Sequence, residues 1–129
     1  MGLSCVIVDD SAEFLEAART LLEREGVAVV GVAATASDGL ERVGELRPQV
    51  VLVDIDLGAD SGFEVARRIA KTAPTGVILM STHAEDDFAE LIAESAAAGF
   101  ISKSDLSAHA IHGLLARLPG NGASAIPGR

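Results

Sequence analysis

The sequence predicts an α/β doubly wound fold, in which one parallel sheet of five strands is covered on both faces by five helices. Three observations carry that expectation: five short runs of β-branched and apolar residues, a segment of helical period after each, and capping or breaking residues where they meet. The strand-like runs are Leu3–Val8, Val27–Val32, Val50–Val53, Val77–Met80 and Gly99–Ile101, each too short for a helix. Helical spacing follows in Phe14, Leu15, Ala18, Leu21 and Leu22, then in Leu40, Val43 and Leu46, and then in Phe63, Ala66, Ile69 and Ala70. Phe88, Leu91 and Ile92 make the fourth such segment; Ile111, Leu114, Leu115 and Leu118 make the fifth. Ser11, Ser37 and Ser61 are placed to cap helices, Ser61 with Glu64 in an S-x-x-E box, and Gly26 and Gly99 to end them.

Repeated strand-then-helix units require parallel neighbours joined by right-handed crossovers. Five strands in a small doubly wound domain most often take the flavodoxin-like order 2-1-3-4-5. The 129 residues, 49 % hydrophobic and 22 % charged, suffice for one domain with a real core. That domain is expected over residues 1–118. The stretch 119–129, rich in small residues, Gly and Pro, reads as a flexible tail or linker stub.

Composition narrows the function. The lone Cys5 sits in an apolar run and provides neither a disulfide framework nor a zinc site. No basic leader or apolar run of membrane-spanning length is present, so a cytoplasmic protein with no membrane partner is expected. A formal net charge of −9 argues against direct nucleic-acid binding, because affinity for the phosphate backbone comes from Lys and Arg. The acid-rich stretch around Phe88 reads as a solvated helix face, and His83, His109 and His112 lack the spacing of a metal site.

In an open parallel sheet, ligands bind beyond the C-terminal strand ends where the strand order reverses. Asp9 and Asp10 follow the first strand, Asp54 ends the third, Ser81 and Thr82 end the fourth, and Lys103 follows the fifth. The outer second strand ends in Ala33 and Ala34. Three carboxylates converging there are stable in ionised form only with a cation, and an all-oxygen donor set suits Mg²⁺. A metal, an ammonium and a hydroxyl are together what a phosphoryl group's oxygens require.

The ordered set "VDD", "LVDIDL", "SGFEV", "ILMST" and "GFISK" resembles the receiver domain of two-component response regulators. The resemblance implies that Asp54 accepts a phosphoryl group from a sensor histidine kinase or phosphotransfer protein. It implies Mg²⁺ held by Asp10, by Asp9 in part through water, by Asp54 and by the backbone carbonyl of Asp56. Ser81, with Thr82 beside it, and Lys103 would stabilise the phosphoryl oxygens, and Ser81 and Phe100 would form the switch. The surface of helix 4, strand 5 and helix 5 would meet an effector or a second copy. Strand alternation would place Phe100 and Lys103 on opposite sides, with the ring toward the outer surface. Gly58 and Ser104 stand where the family often has proline, and Phe100 where it often has tyrosine. The change to Ser104 removes the usual reason for a cis peptide after Lys103.

Two other readings compete. The D-x-D of "DIDLG" resembles the nucleophile motif of haloacid-dehalogenase-like phosphatases, although there the acid pair lies downstream and here it lies upstream. A receiver-like interaction domain that is never phosphorylated is the other. Steady turnover of an external phosphate ester would mark an enzyme, and a single stoichiometric phosphorylation would mark a receiver.

Overall fold

The computed structural model describes residues 3–83 and 85–116. Five strands, β1 (Ser4–Val8), β2 (Ala28–Ala33), β3 (Val50–Asp54), β6 (Gly76–Ser81) and β7 (Gly99–Ser102), form one parallel sheet in the order β2-β1-β3-β6-β7. Two further strands, β4 (Asp56–Leu57) and β5 (Asp60–Ser61), make a separate antiparallel hairpin after β3. Setting that hairpin aside, the sheet has the expected 2-1-3-4-5 order.

The helices are α1 (Ala12–Arg24), α2 (Ala36–Leu46), α3 (Gly62–Thr72), α4 (Ala89–Glu94) and α5 (Ala108–Leu115). The expected tail at 119–129, and Leu118, lie outside the described residues. Among the described residues, no helix is long and apolar enough to cross a membrane.

Alternation along the strands builds two cores. Cys5 and Ile7 of β1 face one cluster with Leu22, Leu52, Ile78 and Ile111, whereas Val6 and Val8 face another with Val51, Val53, Phe63 and Ile69. A strand buried on both faces is written as an apolar run, and β3 reads VVLV before ending in Asp54 for that reason. Cys5 is fully buried, which pushes its thiol up to about 12 and keeps it protonated and inert, as expected of a core residue.

The β1–β2 ladder is irregular. Cys5 pairs with Val29 and Val6 with Gly31, leaving Val30 as an extra residue on the outer strand, 43 % exposed.

Several helix boundaries differ from the sequence reading. Ser11 caps α1 and Ser61 caps α3, but α2 begins two residues earlier than expected, with Thr35 rather than Ser37 accepting the Asp38 N–H. The box at Ser61 does not close: Glu64 turns instead to Arg67, at 2.6 Å. Gly26, at φ 91°, leaves α1, but Gly99 ends no helix. It lies in β7, where a Cβ would meet Leu114 Cδ2 at 2.7 Å, so glycine there permits α5 to pack close. Ala96, at φ 65°, takes the left-handed position after α4. That helix is short, follows a 3₁₀ turn over Glu85–Phe88, and buries none of its own residues.

Candidate functional site

The strand ends bring the expected residues together. Asp9 leaves β1 with its N–H on the Ala33 carbonyl at 3.0 Å, and its Oδ1 accepts the Ser11 N–H at 2.8 Å. Those bonds fix a side chain that is fully buried, whereas Asp10 is exposed. Asp54 ends β3 opposite Met80 of β6, and Ile55 continues the pairing by donating to the Met80 carbonyl at 3.0 Å. One carboxylate oxygen each from Asp9, Asp10 and Asp54 lies within 4.8 Å of the others. Lys103 reaches in from the 3₁₀ turn after β7, its Nζ 2.6 Å from Asp9 Oδ2 and 3.5 Å from Asp54 Oδ2. All described peptide bonds are trans, that between Lys103 and Ser104 included.

Asp54, Asp56, Ser81, Thr82 and Lys103 line a cavity of about 540 Å³ at this edge, with His83 and Phe88 on its far wall. Ser81 is buried at the end of β6, and its Oγ accepts the His83 N–H at 2.9 Å. Thr82 is exposed beside it. Asp56 is exposed in the hairpin, where its Oδ1 accepts the Gly58 N–H at 3.3 Å. Gly62, the first residue of α3, presses on the end of β3: a Cβ there would collide with the Asp54 carbonyl oxygen.

The acid cluster fits a hard divalent ion. Asp9 Oδ2 is buried, and among the described residues its charged partner is the Lys103 ammonium at 2.6 Å. One ammonium shared between Asp9 and Asp54 leaves the three-acid cluster net negative, a charge that a bound cation would balance. The donors are all oxygens, and exposed Asp10 leaves room for the waters that Mg²⁺ retains.

Burial first, and the Asp9 carboxylate second, push the Asp54 carboxyl above the usual carboxylate range, against the pull of Lys103 and of the Asp56 N–H. A folded-state value above that of the unfolded chain means that stability falls as pH climbs from about 4 through the folded value, and the loss is complete above it. Asp54→Asn is therefore expected to melt higher than the parent by about 2–5 °C at neutral pH in EDTA. The gap should narrow as the pH is lowered toward about 4, the ordinary carboxylate value. Scanning calorimetry at the two pH values tests this, and a variant that melts lower at both would contradict it.

Phe100 does not lie outward as alternation suggested. Its ring is 8 % exposed, packed in the cluster that includes Phe63, with Phe88 and Ile92 against it. The segment from Phe88 through α4 covers that face of β7, which strand alternation alone does not foresee. The sequence reading also missed three residues that touch the site's architecture: Gly62, His83 and Phe14, whose ring lies 4.4 Å from Lys103 Nζ. Phe14 shares the spacing of an ordinary core residue of α1, so periodicity does not distinguish it.

Residues 5–113 match the family of response regulator receiver domains, and the chain belongs to that family. A protein-glutamate methylesterase/protein-glutamine glutaminase of Myxococcus xanthus is 38 % identical over 104 residues, covering 78 % of this chain and 30 % of that protein. The DNA-binding transcriptional activator EvgA of Escherichia coli is 26 % identical over 104 residues, 80 % of this chain and 51 % of EvgA. The chain thus spans about half or less of these curated relatives.

Among solved structures, a LuxR-family two-component response regulator from Aurantimonas superposes with a TM-score of 0.79 at 29 % identity, covering 93 % of this chain and 87 % of that one. The response regulator domain of Thermotoga maritima CheB gives 0.73 at 25 % identity, covering 99 % and 100 %. Family membership makes this a regulatory domain and sets aside the haloacid-dehalogenase-like alternative.

Proposed function

We propose that Asp54 accepts a phosphoryl group from the phosphohistidine of a sensor kinase or phosphotransfer protein in a Mg²⁺-dependent reaction, and that the phosphorylated domain signals through a change of surface. The observation that carries this is the position of Asp54, which lines the strand-end cavity with Lys103 Nζ 3.5 Å away and shares an acid cluster with Asp9 and Asp10. Asp54 Oδ attacks phosphorus, the P–N bond to the donor imidazole breaks, and the imidazole leaves with a proton in place of phosphorus. Lys103 neutralises one equatorial oxygen and the Ser81 hydroxyl donates to another. Asp9, Asp10, Asp54 and the Asp56 carbonyl would hold Mg²⁺, which supplies charge neutralisation of the phosphoryl oxygens when bound. The domain assists its own phosphorylation and dephosphorylation and turns over no external substrate.

A second cavity of about 710 Å³, lined by Phe100, Ile101, His109 and Leu114, opens beside β7 and α5. It supports an effector or homodimer contact on the β7 and α5 part of the α4–β7–α5 surface. In an acidic domain of this kind, expected in the cytoplasm, direct contact with nucleic acid is left to other regions or partners.

Incubation with acetyl phosphate and Mg²⁺ should add one phosphoryl group by intact mass, labile to base and absent in Asp54→Asn. A label that survives Asp54→Asn, or that resists alkali on Ser81 or Thr82, overturns the assignment. Phosphorylation undiminished in EDTA overturns the metal dependence.

A further inference from the structure

We infer that Phe14 is a positioning residue for the Lys103 ammonium, and so sets how well the site receives a phosphoryl group. The inference rests on the phosphoacceptor reading above. Lys103 Nζ makes three charge contacts: Asp9 Oδ2 at 2.6 Å, Asp54 Oδ2 at 3.5 Å, and the face of the Phe14 ring at 4.4 Å from its centroid. The two carboxylates are the groups whose charge changes in use. Asp9 and Asp54 both belong to the acid cluster that fits a cation, and the Asp54 carboxylate becomes an acyl phosphate, with its charge moved onto the phosphoryl oxygens, once it is phosphorylated. The ring is the one contact of the three whose charge is the same in every state of the site.

The geometry suits that task. Lys103 stands on a 3₁₀ turn beyond the sheet, on a long flexible stem, and gains no rigidity from strand pairing. Its side chain is only 15 % exposed, so the attraction between ammonium and ring face is weakly screened. Phe14 is itself fixed, on the first turn of α1, where its N–H is held by the Ser11 hydroxyl at 3.2 Å and its ring packs against the core cluster. Ser11 is held in turn by Asp9 Oδ1 at 2.8 Å. The start of α1 thus ties the ring, the buried acid and the ammonium into one unit. A leucine would fill similar space and pack on the same core, but it has no quadrupole to hold a cation.

The test compares Phe14→Leu with Phe14→Trp, each measured for beryllofluoride binding in Mg²⁺ and for the proton shifts of the Lys103 ε-methylene in metal-free protein. Leucine should weaken beryllofluoride binding by about three- to tenfold and return the ε-methylene signals, shifted upfield by the ring in wild type, to ordinary lysine values. Tryptophan should bind within about twofold of wild type or tighter and keep the upfield shift. Site-specific trifluorophenylalanine at position 14 preserves the ring's shape while depleting its face, and should behave as leucine does, which keeps the test decisive where Phe14→Leu folds poorly. Wild-type affinity in both the leucine and the fluorinated proteins overturns the inference, as does tryptophan binding as weakly as leucine. Wild-type protein that binds no beryllofluoride would instead refute the phosphoacceptor reading, while the metal-free shifts would still report whether ring and ammonium meet.

Discussion

Gly62→Ala is expected to cost the fold about 3 kcal/mol or more and to lower its melting temperature by roughly 10 °C. The added methyl would collide with the Asp54 carbonyl oxygen and sit 2.7 Å from Ile55 Cα and 2.8 Å from the Asp54 carbonyl carbon. All three are backbone atoms of the strand end that carries Asp54, so no side chain can swing away to make room. Relief requires either α3 to lift off, abandoning the bond from Gly62 N–H to the Ile55 carbonyl at 2.9 Å, or Asp54 to shift away from Lys103. The same substitution elsewhere should have the opposite sign. Gly44 in α2 and Gly113 in α5 meet nothing within 4 Å, and alanine at either should stabilise by about 0.5–1 kcal/mol through helix propensity. Urea melts of the three variants test the contrast, and a Gly62→Ala protein as stable as the parent would show that the α3–β3 contact yields.

Asp10→Ala should weaken Mg²⁺ binding by about 10- to 100-fold, and Glu13→Ala by less than about twofold. Both residues are exposed acids near the start of α1, so general electrostatics alone would treat them alike. Only Asp10 contributes an oxygen to the cluster in which three carboxylates lie within 4.8 Å of each other. Because Asp10 is exposed, its loss leaves no buried group unpaired, and the variant should fold normally. Titration calorimetry with Mg²⁺ measures the effect, and unchanged affinity in Asp10→Ala removes this acid from the metal site.

What was legible in the sequence follows from what is local. The strands showed because a sheet buried on both faces needs unbroken apolar runs, and β3 has no other way to be written. Asp9, Asp54, Ser81 and Lys103 showed because a polar residue directly behind such a run must sit at a sheet edge. Thr35 against Ser37 was not legible, since both are capping residues and the choice depends on where β2 releases the chain. Phe100, Phe14 and Gly62 were misread or passed over for a shared reason. Each owes its role to an element distant in the chain or across a packing interface: the Phe88 segment over Phe100, Lys103 beside Phe14, Asp54 beneath Gly62.

The extra residue in β2 bears on how this domain behaves in company. The outermost strand of an open sheet offers a row of unsatisfied amides and carbonyls, which invites any passing extended chain to add itself. Val30 breaks the spacing of that row, because an incoming strand in step with Val29 falls out of step at Gly31. The irregularity thereby works against strand addition at this edge, a hazard that grows with local concentration.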